Sequence, residues 1–487
     1  MLNKLLNSNL FRFIFLNALI VGFQIFMIGF FFNQMVGEIP LWFTKNWGEG
    51  VLSPKVNIIL IPLLSTLVII STATIQKLSS KLHQYYLDKI IFNFTTLANL
   101  VITYSLMGII KKTTFTNLFF LDYIGSELLN SFFVSLVISV FLTPVLINVY
   151  KKYGLITDPK KHFHPGMILK QPSARGGGLV FAISFALTSV LFTKLNVLTG
   201  GIIIASILAA LIGILDDISN TISTKKYKFL GNPVFRLLVL LPIPVIILML
   251  VGVVSYSIGN PFGGIFDFNS LSLNFLGNLI KPLPYIFTFI WILWLINLLS
   301  WSNGVDGQYS GIVTIAGIVI ALLALRFANI SDFEINNSKM AMIAAGAALG
   351  LLPFTWNPSK IMWGFGATSA GIVLASLSIL ASTKISISIL VLLVPFMDGL
   401  ITVIRRIVNK QNPLKGDKSH LHHLLLNRGW SVKQIAVFYW ISTAILGLVG
   451  LYSSDKDLPL LVLTFGGIIS FAIILLNLNL NKNNKFN

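Results

Sequence analysis

Cysteine is absent from the 487 residues, which removes disulfide frameworks, thiolate nucleophiles and cysteine-ligated zinc together. Charge is scarce as well. Asp, Glu, Lys and Arg make up 10% of the chain, against about 25% in soluble domains, and so thin a charged surface excludes a soluble enzyme and a disordered scaffold alike. Acids are the rarer sign, 16 against 35 Lys and Arg, for a formal charge of +19. In a chain this apolar such an excess points to basic loops held on one side of a membrane rather than to nucleic acid. What is abundant is hydrocarbon: 55% of residues are hydrophobic and the mean hydropathy is +0.85.

Apolar runs long enough to cross a hydrocarbon core of roughly 30 Å recur from end to end. Read as helices, they predict an all-α, polytopic membrane bundle of about fourteen transmembrane helices. Three lie in an N-terminal region, 1–129, at about 10–32, 57–75 and 88–110. The rest, in 130–487, are at about 130–149, 177–195, 199–215, 234–255, 284–299, 311–326, 339–354, 368–382, 385–400, 432–452 and 459–478. The first run, Leu10 to Phe32, exceeds a signal-peptide core and lacks a small-residue cleavage site, so it is expected to be retained.

Charge orients this map. The loops 150–176, 216–236, 300–310, 355–367 and 401–433, with the C-terminal tail, collect 20 of the 35 Lys and Arg; the opposite loops beyond residue 150 hold six, and nine precede residue 130. That bias predicts a cytoplasmic position for the first set and for both termini. Asp158, Asp216, Asp217, Asp306, Asp398 and Asp417 fall at or beside these inner loops, as do His162, His164, His420, His422 and His423. An active site is therefore expected to open to the cytoplasm, where nucleotide substrates are found.

Four clusters carry chemistry-bearing residues. Asp216-Asp217 closes a span; two adjacent carboxylates near lipid demand a cation, so they read either as a Mg²⁺ site or as a solvated helix end. Asn297 to Gly307, with Asn303 and Asp306, reads as a turn that brings side-chain oxygens to a ligand, or as an ordinary Asn/Gly turn. Lys415 to His423 places three histidines in four residues beside Lys and Arg. No Cys or Glu completes a zinc set there, so an anion site fits better than a metal, with a lipid-attracted basic loop as the bland reading. Thr157 to Gly178 joins Lys170 and Arg175 to Gly176-Gly177-Gly178, which suits a phosphate cradle or a flexible hinge. Taken jointly, carboxylates and cations at one face suit phosphoryl transfer.

In their order and spacing, Asp158-Pro159 through Arg175-Gly176-Gly177-Gly178, Asp216-Asp217, Asn297 to Gly307, and Lys418-Ser419-His420-Leu421-His422-His423 with Asn427-Arg428-Gly429 resemble a known family. It is the polyprenyl-phosphate N-acetylhexosamine-1-phosphate transferase family (glycosyltransferase family 4), and the likeness covers about 130–478, with Asp398 ahead of Arg405 also placed as in that family. The resemblance implies transfer of a sugar 1-phosphate from a UDP-sugar to polyprenyl (undecaprenyl) phosphate, with release of UMP. It would take place at the cytoplasmic face of the plasma (inner) membrane and initiate a cell-envelope glycan such as teichoic acid or lipopolysaccharide. His-Leu-His-His after Asp-Lys-Ser resembles the branch that uses UDP-N-acetylhexosamine; the UDP-N-acetylmuramoyl-pentapeptide branch usually carries Pro-x-His-His-His. By the same resemblance Asp216, Asp217 and Asp306 are catalytic. Asp217 and Asp306 would hold Mg²⁺ or Mn²⁺, and Asp216 would receive or orient the polyprenyl-phosphate proton. Asn297, Asn303, Arg175, Lys170, His420, His422 and His423 would bind substrate. The partners implied are UDP-N-acetylhexosamine, polyprenyl phosphate, membrane lipid and a second copy in a homodimer, with no nucleic acid. About eleven helices are family-like; the three before residue 130 have no counterpart and read as a packing or partner-binding appendage.

The chain also departs from the family. Ser300, Asn303 and Gln308 stand where Asn, Asp and Leu are usual. Trp363-Gly364-Phe365-Gly366-Ala367-Thr368-Ser369 stands where the family has Gly-Asp-x-Gly-Ser, which puts Phe365 in the place of a magnesium ligand. An aromatic ring offers Mg²⁺ no oxygen, so the metal site is expected to be altered. A catalytically impaired relative that binds lipid-linked sugars or serves in assembly is the alternative. A secondary transporter is disfavoured, because no internal repeat is visible and the polar residues gather at one face.

Overall fold

The computed structural model describes residues 9–32, 35–41, 52–79, 85–113, 126–160, 169, 171–221, 232–260, 262, 264–275, 278–325, 331–380, 385–412 and 419–483. The chain divides into two compact units, Met1–Ser126 and Glu127–Asn487.

In the first unit three helices, α1 (Asn9–Phe31), α2 (Leu60–Ser79) and α3 (Tyr85–Thr113), surround a short hairpin of β1 (Glu38–Pro40) and β2 (Leu52–Pro54). Met35, Ile39, Ile58, Leu106, Ile109 and Ile110 form one buried cluster, and Phe13 stacks on Phe92 at 4.4 Å. Amides and hydroxyls join the helices elsewhere. Asn17 donates to Thr96 Oγ1 at 2.9 Å and accepts from Asn99 at 2.8 Å. Gln24 donates both to Ser65 at 3.0 Å and to Thr103 at 2.8 Å. Neutral hydrogen bonds of this kind are the glue available between helices when no water drives association.

The second unit contains α4 (Ser126–Lys152), α5 (Gly177–Phe192), α6 (Val197–Thr221), α7 (Pro242–Leu250), α8 (Pro282–Trp301), α9 (Gln308–Ala324) and α10 (Asp332–Thr355). It continues through α11 (Ala367–Leu380), α12 (Ile385–Val391), α13 (Leu393–Val408), α14 (Leu421–Leu426), α15 (Val432–Tyr452) and α16 (Leu458–Asn483). Small residues let backbones approach. Ser135 and Ser139 of α4 donate to the carbonyls of Ile343 and Ala347 on α10, each at 2.8 Å, and a Cβ on Gly346 would stand 2.2 Å from the Phe132 carbonyl oxygen.

Strands are few. Two antiparallel hairpins, β5 (Ser257–Gly259) with β6 (Ile265–Asp267) and β7 (Leu273–Phe275) with β8 (Asn278–Ile280), connect α7 to α8. The third sheet matters more: β4 (Ser173–Arg175) lies between β3 (Ile156–Thr157), antiparallel, and β9 (Ile361–Met362), parallel.

The polytopic helical fold is as the hydropathy predicts, with refinements. Among the described residues seven helices are long and apolar enough to span, an eighth span is formed by a bent pair, and six shorter apolar helices of 10–17 residues accompany them. Two of the six lie within α1 and α3, which are 23 and 29 residues long; at 1.5 Å per residue the other four fall short of a 30 Å core when straight, so the expected fourteen comprise two classes. The predicted straight span 385–400 is broken at Leu392, where α12 and α13 meet at 87°. Pro395 explains the break: it has no N–H to donate to Val391, four residues back. The helix predicted to begin at 339 begins at Asp332, because Ser331 and Glu334 form a capping box. Lys339 is consequently a helix residue paired with Glu127 of α4, not a loop cation.

Candidate active site

The small sheet sets the geometry. Arg175 is the last residue of β4 and pairs in register with Met362, so the chain after β9 enters the turn Gly364–Phe365–Gly366 directly beside the Arg175-Gly176 junction. The glycines follow from crowding. A Cβ on Gly178 would lie 2.1 Å from the Gly366 carbonyl oxygen, and one on Gly213 of α6 would lie 2.4 Å from Gly366 Cα. Gly176-Gly177-Gly178 therefore serves close packing between α5, α6 and the turn.

This packing seats the turn on the carboxylates at the end of α6. Phe365 N–H donates to Asp217 Oδ1 at 3.2 Å, and Arg175 Nε lies 3.4 Å from the same oxygen, an ion pair without hydrogen-bond geometry. Gly364, at φ +64°, presses on the other oxygen: its Cβ would sit 1.9 Å from Asp217 Oδ2. Asp217 is 1% exposed, and Oδ2 has no hydrogen-bond partner among the described residues. Asp216 is engaged on both oxygens, by Arg236 on Oδ1 at 2.5 Å and by Asn220 on Oδ2 at 3.0 Å. Arg236 opens the π-helical turn Arg236–Leu240 ahead of α7, and its guanidinium lies over the Phe365 ring, 4.4 Å from the centroid.

The Asn-rich turn and the histidine loop complete the gathering. Asn303 approaches the Gly364 carbonyl, 3.5 Å from its Nδ2. A Cβ on the adjacent Gly304 would meet the His422 ring at 2.3 Å. His422 stacks on His420 at 5.7 Å and touches His423 at 4.3 Å; all three imidazoles are buried. The loop is moored to α13: Asp398 Oδ2 lies 3.2 Å from His420 Nδ1, Asp398 Oδ1 accepts from Leu421 N–H at 2.7 Å, and Arg405 binds Ser419. Burial, with His423 and His420 alongside, holds His422 well below the usual imidazole range, so it is neutral at physiological pH. Its Nδ1 is buried without a partner among the described residues.

Arg175, Asp216, Asp217, Asn303, His420, His422 and His423 thus form one contiguous network. Asn297 and Asp306 make other contacts. Asn297 donates to Leu293 O of its own helix at 2.7 Å. Asp306 Oδ2 accepts from Asn357 Nδ2 at 2.9 Å and from Ser359 N–H at 3.1 Å, fastening the turn ahead of β9. Lys170, His162, His164, Lys415, Asp417 and Lys418 lie outside the described residues. Sequence reasoning missed Arg236 entirely. The available signal was a single Arg at the start of the next span, in a loop whose other cations are lysines.

Set against Mg²⁺, which requires near-octahedral oxygen ligands, this donor set does not fit a resident ion. It offers one carboxylate oxygen without a hydrogen bond among the described residues, Asp217 Oδ2, which is itself buried, and two guanidinium groups stand beside the pair. Asp306, expected to share the metal with Asp217, is committed to the 357–359 turn. Among the described residues no group of three His, Asp or Glu is placed to hold a metal ion. The neighbourhood suits an anion.

The chain is similar in sequence to known sugar-1-phosphate transferases. Over 323 residues the chain is 29% identical to the probable undecaprenyl-phosphate N-acetylglucosaminyl 1-phosphate transferase of Bacillus subtilis (strain 168), covering 64% of this chain and 81% of that protein. It is 23% identical to the decaprenyl-phosphate N-acetylglucosaminephosphotransferase of Mycolicibacterium smegmatis, covering 70% and 86%. It is 24% identical to the phospho-N-acetylmuramoyl-pentapeptide-transferase of Staphylococcus haemolyticus, covering 66% and 97%. Residues 199–382, which run from α6 with its paired aspartates through the Asn-rich turn to α11, match the model of glycosyl transferase family 4.

Proposed function

We propose that the protein transfers N-acetylhexosamine 1-phosphate from a UDP-sugar to polyprenyl phosphate, of the undecaprenyl type, at the cytoplasmic face of the plasma membrane, and so initiates a cell-envelope glycan. The observation that carries this reading is the convergence of four loops, distant in sequence, on one carboxylate pair: Arg175, Asp216-Asp217 with Arg236, Asn303-Gly304, and His420 to His423. The basic bias of those loops supports the cytoplasmic side, and the named activities of the three relatives support the chemistry.

In the reaction an oxygen of the polyprenyl phosphate attacks the sugar-bearing phosphorus of the UDP-sugar. The bond from that phosphorus to the bridging oxygen breaks, UMP departs with the bonding electrons, and a polyprenyl diphosphate sugar remains. Asp217 Oδ2, which lacks a donor among the described residues, takes the proton of the acceptor phosphate and passes it to water. Asp216 orients Arg236. His420, held by Asp398, and His423 meet phosphate and sugar, while neutral His422 shapes the wall against Gly304. Because the open electrostatic surface of the site is cationic, the negative charge of donor and acceptor is offset there in the transition state.

The test is release of UMP from UDP-N-acetylglucosamine by purified full-length protein, with and without undecaprenyl phosphate. Lipid-dependent release is expected. Protein shown to be folded that releases no UMP from any of several UDP-N-acetylhexosamines overturns the reading.

A further inference from the structure

The family resemblance places a metal ligand where this chain has Phe365, and the carboxylates below it do not form a cage for Mg²⁺. The geometry points to a replacement: Arg175 and Arg236 form a fixed guanidinium pair that supplies the positive charge for the diphosphate of the nucleotide sugar, and Phe365 is the platform that positions Arg236. The inference rests on the transferase reading for the identity of the ligand, a nucleoside diphosphate sugar, but it concerns how that ligand is held.

Three observations carry it. First, each member of the carboxylate pair has its own guanidinium, Asp216 with Arg236 and Asp217 with Arg175, so the mutual repulsion that calls for a metal is already offset. Second, Arg236 is clamped between two groups, the Asp216 carboxylate and the Phe365 face. Stacking fixes the plane of the guanidinium while leaving donors on its rim, the geometry in which arginine recognises phosphate in forked pairs. An Asp at position 365 would instead add a third negative charge to the cluster. Third, the two arginines remain reachable: their Nε atoms are buried, that of Arg175 against Asp217, but the side chains as a whole are 28% and 19% exposed. Each arginine is thus anchored below and accessible above.

The consequence is nucleotide-sugar binding that does not depend on a divalent cation. It is tested on the full-length protein in detergent or nanodiscs by titrating UDP-N-acetylglucosamine calorimetrically in EDTA and in Mg²⁺. Wild-type affinities within about threefold of one another are expected. Charge-assisted hydrogen bonds of this type correspond to about tenfold or more in affinity, so Arg236→Ala should weaken binding by at least that factor in both buffers. Phe365→Leu should weaken it by a smaller factor and Phe365→Trp restore it, a rescue that mere space-filling by leucine does not give. Chelation that weakens wild-type binding more than tenfold overturns the inference, as do absence of binding in both buffers and an Arg236→Ala protein that binds like wild type. The wild-type comparison of buffers decides the matter even if a variant fails to fold. UMP release measured in parallel separates the two readings. Tight, metal-independent binding without release sinks the transferase reading and leaves the guanidinium site standing; release with binding that is abolished by EDTA does the reverse.

Discussion

Both units bury polar side chains among apolar helices, and they do so with different chemistry. In the first unit the buried polar groups are neutral: Asn17, Gln24, Ser65, Thr72, Thr95, Asn99 and Thr103 bond to one another across three helices. In the second unit the polar end is ionic. Asp216, Asp217, Arg175 and Arg236 make opposed pairs, yet leave Asp217 Oδ2 and two arginine Nε atoms without hydrogen bonds among the described residues. Neutral amides and hydroxyls hold helices together and cost less to bury, even though Gln24 Oε1 and Asn99 Oδ1 also lack a partner among the described residues. Charges cost far more, and retaining them in so apolar a chain signals use rather than support.

That contrast can be broken or sharpened by substitution. The largest effect is expected from Asp217→Ala, which should lower UMP release by about 10³-fold, the scale of losing an electrostatic group in a preorganised site, with the melting temperature close to wild type. Unchanged turnover would move Asp217 into the supporting class. Next, Gly178→Ala must displace the Gly364–Gly366 turn, since its Cβ would meet a backbone carbonyl; overpacking of this kind costs about 1–3 kcal/mol, and both melting temperature and activity should fall. Gly200→Ala, with nothing within 4 Å, is the control and should leave both unchanged or raise stability slightly.

His422 gives a pH test. Its folded-state pKa is depressed by burial, so below about pH 6.5 the unfolded chain binds a proton that the folded chain refuses. Stability therefore falls as pH drops through that value, by at most about 1.4 kcal/mol per pH unit, and is unaffected above it. His422→Gln should flatten this slope in thermal melts between pH 5 and about 7; an unaltered slope would show that the proton is taken up elsewhere. The smallest effect is expected from Gln24→Leu in the first unit, a loss of about 0.6–1.7 kcal/mol by analogy with hydrogen bonds between membrane helices, with UMP release unchanged. A large loss of turnover there would erase the distinction between the two polar interiors.

Much of this was legible in the sequence because it is written in local signals. Hydropathy alone marks the spans, and the motifs Asp216-Asp217, Asn297 to Gly307 and His420-Leu-His422-His423 announce themselves by composition. The bend at Leu392 was not visible in the apolar count, since Leu393, Val394 and Pro395 read as one hydrophobic run and only the missing N–H of Pro395 breaks it. Nor could Arg236 be assigned, because its significance lies in a stack on Phe365, more than a hundred residues further along. The separation of Asp306 from Asp217 has a similar origin. An Asp-Gly turn looks the same in sequence whether its carboxylate meets a ligand or, as here, the backbone of Ser359 and the amide of Asn357.

The meeting of Gly178, Gly213 and Gly366 also bears on how such a site can change over generations. A crowded contact between ordinary side chains tolerates drift, because a gain on one side can be matched by a loss on the other. Here each participant is already the smallest residue there is, and no second substitution can compensate the first. Position 365 lies next to that junction and is exempt from it, because its side chain reaches away toward Arg236. The backbone that carries the site is thus locked at 366 while the chemistry it presents at 365 is open to exchange, which is where a fold could trade one mode of neutralising phosphate for another and keep its shape.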